Sequence, residues 1–166
     1  MINIFAELIG KLASNKVEFV ICGGVAMFLH GIERATYDLD ISISMDYGNI
    51  EKLIRASNEL GLKPRNPEPI ENFLSESKRN EWIEKKNALV YTILSGDSRK
   101  QIDIFLQYPK TFEQLRENAV KMTIHGFDVL VSSIDDLIEA KLNVDPMRDK
   151  DETDLKELRR LKNEQK

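Results

Sequence analysis

From Asp38 to Met45 the chain alternates without a break: Leu39, Ile41, Ile43 and Met45 are apolar, while Asp38, Asp40, Ser42 and Ser44 are polar. A strict period of two predicts a β-strand with one face on a core and the other carrying both aspartates. A second run, Val17-Glu18-Phe19-Val20-Ile21-Cys22, is nearly all apolar and rich in β-branched residues. This is the pattern of a strand buried on both faces. It stops at Gly23-Gly24, after which Val25, Phe28 and Leu29 fall on one side of a short helix closed by Gly31. The order is therefore strand, diglycine, helix, then a strand with Asp-x-Asp.

The remaining elements follow from periodicity and turn residues. Ile4, Phe5, Leu8, Ile9 and Leu12 predict a first helix over residues 3–14, and Ile50, Leu53, Ile54 and Leu60 another that ends at Gly61. Residues 62–73, with Pro64, Pro67 and Pro69, read as an irregular loop, and 74–87 as a charged surface helix anchored by Trp82 and Ile83. Strands are expected at Ala88–Leu94 and Gln101–Leu106, and a hairpin at Val120–Ile124 and Phe127–Val131 turning on His125-Gly126. Ser133 can cap a helix that buries Ile134, Leu137, Ile138 and Leu142 and ends by Pro146. A last helix carries Leu155, Leu158 and Leu161, with acidic residues in its first turns and basic ones later, the order that suits the helix dipole. The fold class is thus α/β (α+β): a mixed sheet flanked by helices, with a core over residues 1–131 and a helical appendage of the same domain over 132–166.

Composition supports one domain. With 166 residues, 42% of them hydrophobic and 31% charged, the chain is too apolar for disorder and long enough to bury a core without staples. Cys22 is the lone cysteine, and His30 and His125 are far apart, so neither a disulfide framework nor a zinc-ligand spacing can be written, which suits a reducing cytoplasm. No apolar run approaches the about 20 residues of a membrane span. The net charge of −4 excludes a general polycation for nucleic-acid backbone. Lys85-Lys86 and Arg99-Lys100 are local basic pairs, read as solvated edges rather than phosphate tracks.

Chemistry concentrates in three aspartates. Asp38 and Asp40, two apart on a strand, present both carboxylates on one face within reach of a hard cation. Asp103 lies between Ile102 and Ile104 and should emerge opposite them, so pairing of the two strands would bring all three together. Three clustered carboxylates repel unless a cation neutralises them or one is protonated. Magnesium is the natural partner, and two such ions can clamp the attacking and leaving oxygens of a phosphoryl or nucleotidyl transfer. The bland alternative is an exposed strand edge with Asp103 a solvated or capping residue. The diglycine adds backbone that can approach a phosphate closely. Ser42 and Ser44 share the aspartates' face; Cys22 is read as core, His30 as a helix-end residue and His125 as a turn residue.

Cys22-Gly23-Gly24, thirteen further residues, Asp38-Leu39-Asp40-Ile41 and the later Ile102-Asp103-Ile104 resemble the nucleotidyltransferase superfamily with the DNA polymerase beta-like palm, over about residues 17 to 106. The stretch Arg34-Ala35-Thr36-Tyr37-Asp38-Leu39-Asp40, and Lys141, Arg148-Asp149-Lys150-Asp151 and Asp154-Leu155 in the tail, resemble small bacterial members, including the abortive-infection toxins of toxin–antitoxin systems. The resemblance implies that Gly23 and Gly24 hold a nucleoside triphosphate such as ATP. It further implies that Asp38 and Asp40 bind two magnesium ions, and that Asp103 completes one metal site and takes the acceptor's proton. Arg34 and Thr36 would touch phosphate oxygens or tether their loop; Lys141, Lys150 and Asp151 would flank the nucleotide or form a surface ion-pair network. Larger relatives carry a sizeable C-terminal domain, whereas here a short helical tail follows. The acceptor, whether nucleic acid, protein or small molecule, would then be held by the tail and the 62–87 segment, or by a partner protein or second subunit. A nucleotide-binding or antitoxin-like protein without turnover is the rival reading, and a mixed-sheet domain with no nucleotide site the plainest one.

Overall fold

The computed structural model describes residues 2–165. Helix α1 (Ile2–Ser14) leads into strand β1 (Phe19–Ile21), helix α2 (Gly23–Leu29), strand β2 (Leu39–Ile43) and helix α3 (Tyr47–Glu59). A two-residue strand β3 (Lys63–Pro64) and a short 3-10 helix (Ile70–Leu74) precede α4 (Glu76–Lys86), and strands β4 (Val90–Leu94) and β5 (Gln101–Phe105) follow. Helix α5 (Phe112–Asn118), the hairpin β6 (Val120–Ile124) and β7 (Phe127–Val131), and helices α6 (Ile134–Leu142) and α7 (Asp149–Glu164) complete the chain. Among the described residues no helix is long and apolar enough to cross a membrane.

The seven strands form one mixed sheet in the order β3-β4-β5-β2-β1-β7-β6. β2 lies at its centre, parallel to β5 and antiparallel to β1. Alternation along the central strands sorts their side chains onto two faces. Phe19, Ile21, Leu39, Ile41, Ile43, Ile102 and Ile104 face the main core with Leu8, Ile9 and Leu12 of α1 and Ile50 and Leu53 of α3. Val20 and Cys22 point the other way, where Phe112 and Leu115 of α5 cover them in a smaller cluster. Leu137 of α6 and Leu158 of α7 join the main core, so the tail shares its apolar interior with the sheet.

Two stretches differ from the sequence expectation. The proline-rich segment 62–73 holds β3, which adds an edge to β4, and most of the 3-10 helix. Phe73, Tyr91 and Trp82 stack there, with ring centroids 4.5 and 5.1 Å apart around Tyr91. Helix α5 falls where hydrophobic periodicity points to no element. It is short, and its N-terminus is instead set by a capping box in which Thr111 and Gln114 bond each other's backbone N–H. The predicted hairpin forms with the anticipated turn: His125 (φ 48°) and Gly126 (φ 86°) both have the positive φ that a tight two-residue hairpin turn demands.

Candidate active site

The parallel pairing of β2 with β5 places Asp40 directly beside Asp103 in register. Asp38, one residue before β2, completes a cluster in which one carboxylate oxygen from each aspartate lies within 4.8 Å of the others. Asp38 and Asp40 are half-buried, and Asp103 is buried. All three stand on the sheet face opposite the main core, beside the small cluster that α5 covers.

Crowding of like charge has the expected electrostatic result. Burial first, then the Asp38 and Asp103 carboxylates, push the Asp40 carboxyl up to about 7, against the opposing pull of the Gly24 amide and the Lys141 ammonium. Burial also raises Asp103, although a hydrogen bond from Thr92 counters it. Thr92, directly across the β4–β5 ladder, donates its hydroxyl to Asp103 Oδ1 at 2.6 Å. Gln101 Nε2 reaches Oδ1 and Oδ2 at 3.1 and 3.2 Å.

The diglycine sits inside the first turn of α2, not in a turn before it, with Cys22 in extended backbone at the N-cap. Its residue type is required by crowding. Gly23 has φ +57°, and a Cβ there would lie 2.0 Å from Asp40 Oδ2. A Cβ on Gly24 would lie 2.6 Å from Thr36 Oγ1. Thr36 is buried and donates its hydroxyl to the Asp38 carbonyl at 3.3 Å, so it braces the loop that delivers the aspartate pair.

Arg34 donates to Asp154 Oδ2 at 2.8 Å, which ties this loop to α7. Lys141 of α6 bonds both Asp151 (2.9 Å) and Asp154 (2.7 Å). Arg148 adds a bond to Asp151 at 2.6 Å. Burial would raise the Asp151 carboxyl, but the Arg148 and Lys141 bonds outweigh it and hold it well below the usual carboxylate range. With Arg34, the tail pattern thus closes into a largely buried network of three cations and two carboxylates, in which Lys141 reaches partners ten and thirteen residues away. Lys150 stands apart, exposed on the outer side of α7 with no ion-pair partner among the described residues.

The other candidates have structural surroundings. Cys22 is fully buried, and burial together with the nearby Asp40 charge drives its thiol pKa upward, the opposite of a nucleophile. His30 Nε2 lies 2.8 Å from the Ser132 carbonyl, and His125 is exposed in the hairpin turn. Ser42 is buried on the aspartates' face, while Ser44 bonds Asp46 at the far end of the strand. The basic pairs are matched by acids: Lys85 by Glu81, Lys86 by Glu68, Arg99 by Asp97 and Lys100 by Glu7. Sequence reasoning passed over Thr92, Gln101 and Arg65. Thr92 had the same signal as Asp103, a polar residue between the apolar Tyr91 and Ile93.

The mixed sheet that carries the carboxylate triad and the glycine pair has the nucleotidyltransferase fold, which solved structures share. The crystal structure of ANT(2'')-Ia in complex with adenylyl-2''-tobramycin matches with a TM-score of 0.60 at 13% identity, over 95% of this chain and 86% of that one. An antigenic nucleotidyltransferase-like protein from Paracoccidioides brasiliensis matches with a TM-score of 0.57 at 17% identity, over 95% and 74%. The lincomycin-bound lincosamide antibiotic adenylyltransferase LnuA matches at 0.53 and 15%, over 88% of each chain. No protein-family model matches the chain, and no curated protein matches it in sequence.

Proposed function

We propose that this protein is a magnesium-dependent nucleotidyltransferase, moving a nucleoside monophosphate from a nucleoside triphosphate such as ATP to an acceptor hydroxyl. The observation that carries this reading is the convergence of Asp38, Asp40 and Asp103 on one face of a nucleotidyltransferase-fold sheet. Three hard oxygen donors within 4.8 Å of one another fit a divalent cation, and the upward push on Asp40 marks a site short of positive charge. Asp38 and Asp40 would hold two magnesium ions, and Asp103 would complete one of the two sites. Bound magnesium would neutralise the triad and the triphosphate and lower the pKa of the acceptor hydroxyl.

The chain's own groups then have distinct tasks. Gly23 and Gly24, without side chains, leave backbone open to the triphosphate. Thr36 and Arg34 brace the approach to Asp38, and Lys141 lends positive potential that already reaches Asp40. Asp151 holds Lys141 in place, and the resemblance adds Lys150 to the nucleotide's surroundings. Asp103 would accept the hydroxyl proton as the acceptor oxygen bonds the α-phosphorus, the bond to the β-phosphate oxygen breaks and pyrophosphate leaves.

For the acceptor, the neighbours point to a small hydroxylated molecule: one is bound to adenylyl-2''-tobramycin and another to lincomycin, and this chain spans most of both. The tail pattern supports instead a place in a toxin–antitoxin pair, with a nucleic acid or protein as acceptor. Thermal unfolding with each of the four ribonucleoside triphosphates, with and without magnesium, tests the shared core of these readings. Binding at a hundredfold excess over the dissociation constant stabilises by about 2.7 kcal/mol, a shift of several degrees at this size. The shift should require magnesium and vanish in Asp38→Asn/Asp40→Asn. No shift with any triphosphate would overturn the reading.

A further inference from the structure

Asp103 is held in a way that its two companions are not. Its carboxylate accepts from Thr92 and Gln101, whereas among the described residues no side chain donates a hydrogen bond to the carboxylate of Asp38 or Asp40. Gln101 is itself fixed. Its Oε1 accepts from Arg65 Nη2 at 2.8 Å, and a glutamine amide has its acceptor on one side and its donors on the other. With Arg65 on the oxygen, the NH2 group must face Asp103. Arg65 is anchored in turn, because its backbone N–H donates to the Thr92 carbonyl at 2.9 Å, extending the pairing of β3 with β4. Thr92, Arg65, Gln101 and Asp103 therefore close a ring across β3, β4 and β5.

We propose that Gln101, oriented by Arg65, is a positioning residue that sets the Asp103 carboxylate for cation binding at the triad. This rests on the reading of the triad as a metal site. A carboxylate alone rotates about its terminal bond. Two donors on Oδ1, from Thr92 and Gln101, fix that rotation, while Oδ2 accepts a single N–H bond, at 3.2 Å, and so faces the triad, where the Asp38 carboxyl is within hydrogen-bond reach of Asp103. The choice of an amide is informative. A lysine or arginine in direct contact would place a positive charge where the cation must go, whereas a neutral donor holds the carboxylate without competing. The cationic group of the ring, Arg65, stands one residue further back and is exposed to solvent.

Manganese binding to the metal-free 166-residue protein is the test, read by calorimetric titration and compared with Asp103→Asn. Removing such an outer partner weakens metal affinity by about 10- to 100-fold. Gln101→Leu should do so with the unfolding midpoint of the metal-free protein unchanged, a combination that a purely structural role would not produce. Arg65→Ala should weaken binding less, and Arg65→Ala/Gln101→Leu no more than Gln101→Leu alone, because Arg65 acts through Gln101. Arg65 is exposed, so its variant remains informative if Gln101→Leu folds poorly. Affinity within about twofold of the parent in both single variants, while Asp103→Asn loses manganese, would overturn the inference and spare the metal site. Unaltered binding in Asp103→Asn would overturn both.

Discussion

Gly23 and Asp40 are in van der Waals conflict with any larger residue at position 23: a Cβ there would meet Asp40 Oδ2 at 2.0 Å, Cγ at 2.8 Å and Cβ at 3.0 Å. The glycine is therefore part of the carboxylate's seat, whatever it also does for a phosphate. Gly23→Ala adds the cost of a positive φ, about 1 to 2 kcal/mol, and forces the Asp40 side chain to rotate away from Asp38 and Asp103. Gly24→Ala strikes the buried Thr36 at 2.6 Å and should destabilise by about 1 to 3 kcal/mol through overpacking. Denaturant unfolding should show both losses. Manganese titration should show that Gly23→Ala loses the cation more completely, because its clash is with a triad member.

The raised Asp40 carboxyl makes a pH prediction with a definite sign. A folded-state pKa of about 7, above the ordinary carboxylate value, means that the metal-free native state holds the proton more tightly than the unfolded chain. Stability from this group is present in acid and is lost as pH rises from about 4 to about 7, then levels off. Unfolding midpoints of the metal-free protein, minus those of Asp40→Asn, should fall across that window. Magnesium or manganese should restore the loss increasingly toward high pH, since binding requires the ionised carboxylate. A difference that rises with pH would refute the assignment.

Much of this site was legible in the sequence because it lies on period-two strands. The alternation of Asp38 to Met45, and Asp103 between two isoleucines, told which face each carboxylate takes, and β2–β5 pairing did the rest. What periodicity cannot carry is contact between distant polar residues. Arg34 with Asp154, and Arg65 with Gln101, lie 120 and 36 residues apart, and nothing local marks either partner. Helix α5 escaped for a related reason: two buried residues, Phe112 and Leu115, are too few to set a period. The close approach of Gly23 to Asp40 was not legible either, since a missing side chain leaves no trace of what occupies its space.

The ion network of the tail predicts unequal lysines. Lys141→Met would leave Asp151 and Asp154, both buried, short of one partner each. Breaking a buried pair from one side costs about 3 to 5 kcal/mol, and the surviving Arg148 and Arg34 bonds place this case near the lower end, about 3 kcal/mol. Lys150→Met, on an exposed position with no ion-pair partner among the described residues, should stay within about 0.5 kcal/mol. Equal losses in denaturant unfolding would show that α6 and α7 are held by something other than these pairs.

Tyr91 links the 62–87 segment to the strand that serves the triad. Its ring packs against both Phe73 and Trp82 on the main-core face of β4, while the next residue, Thr92, points to the opposite face and bonds Asp103. The Tyr91 hydroxyl is buried without a hydrogen-bond partner among the described residues. An unpaired buried hydroxyl is costly, so Tyr91→Phe, which keeps the stacked ring, should be neutral or stabilising by about 1 kcal/mol. Tyr91→Ala opens a cavity inside the stack and should cost about 3 to 5 kcal/mol, as for other large aromatic truncations. Trp82 is the chain's one tryptophan, so its fluorescence reports the stack directly. If β4 transmits the disturbance, Tyr91→Ala should weaken manganese binding at Asp103 as well as unfold more easily, while Tyr91→Phe leaves affinity and emission unchanged. A loss of stability in Tyr91→Phe similar to that in Tyr91→Ala would mean that the hydroxyl is satisfied in solution, and that this end of the sheet is more open than its packing implies.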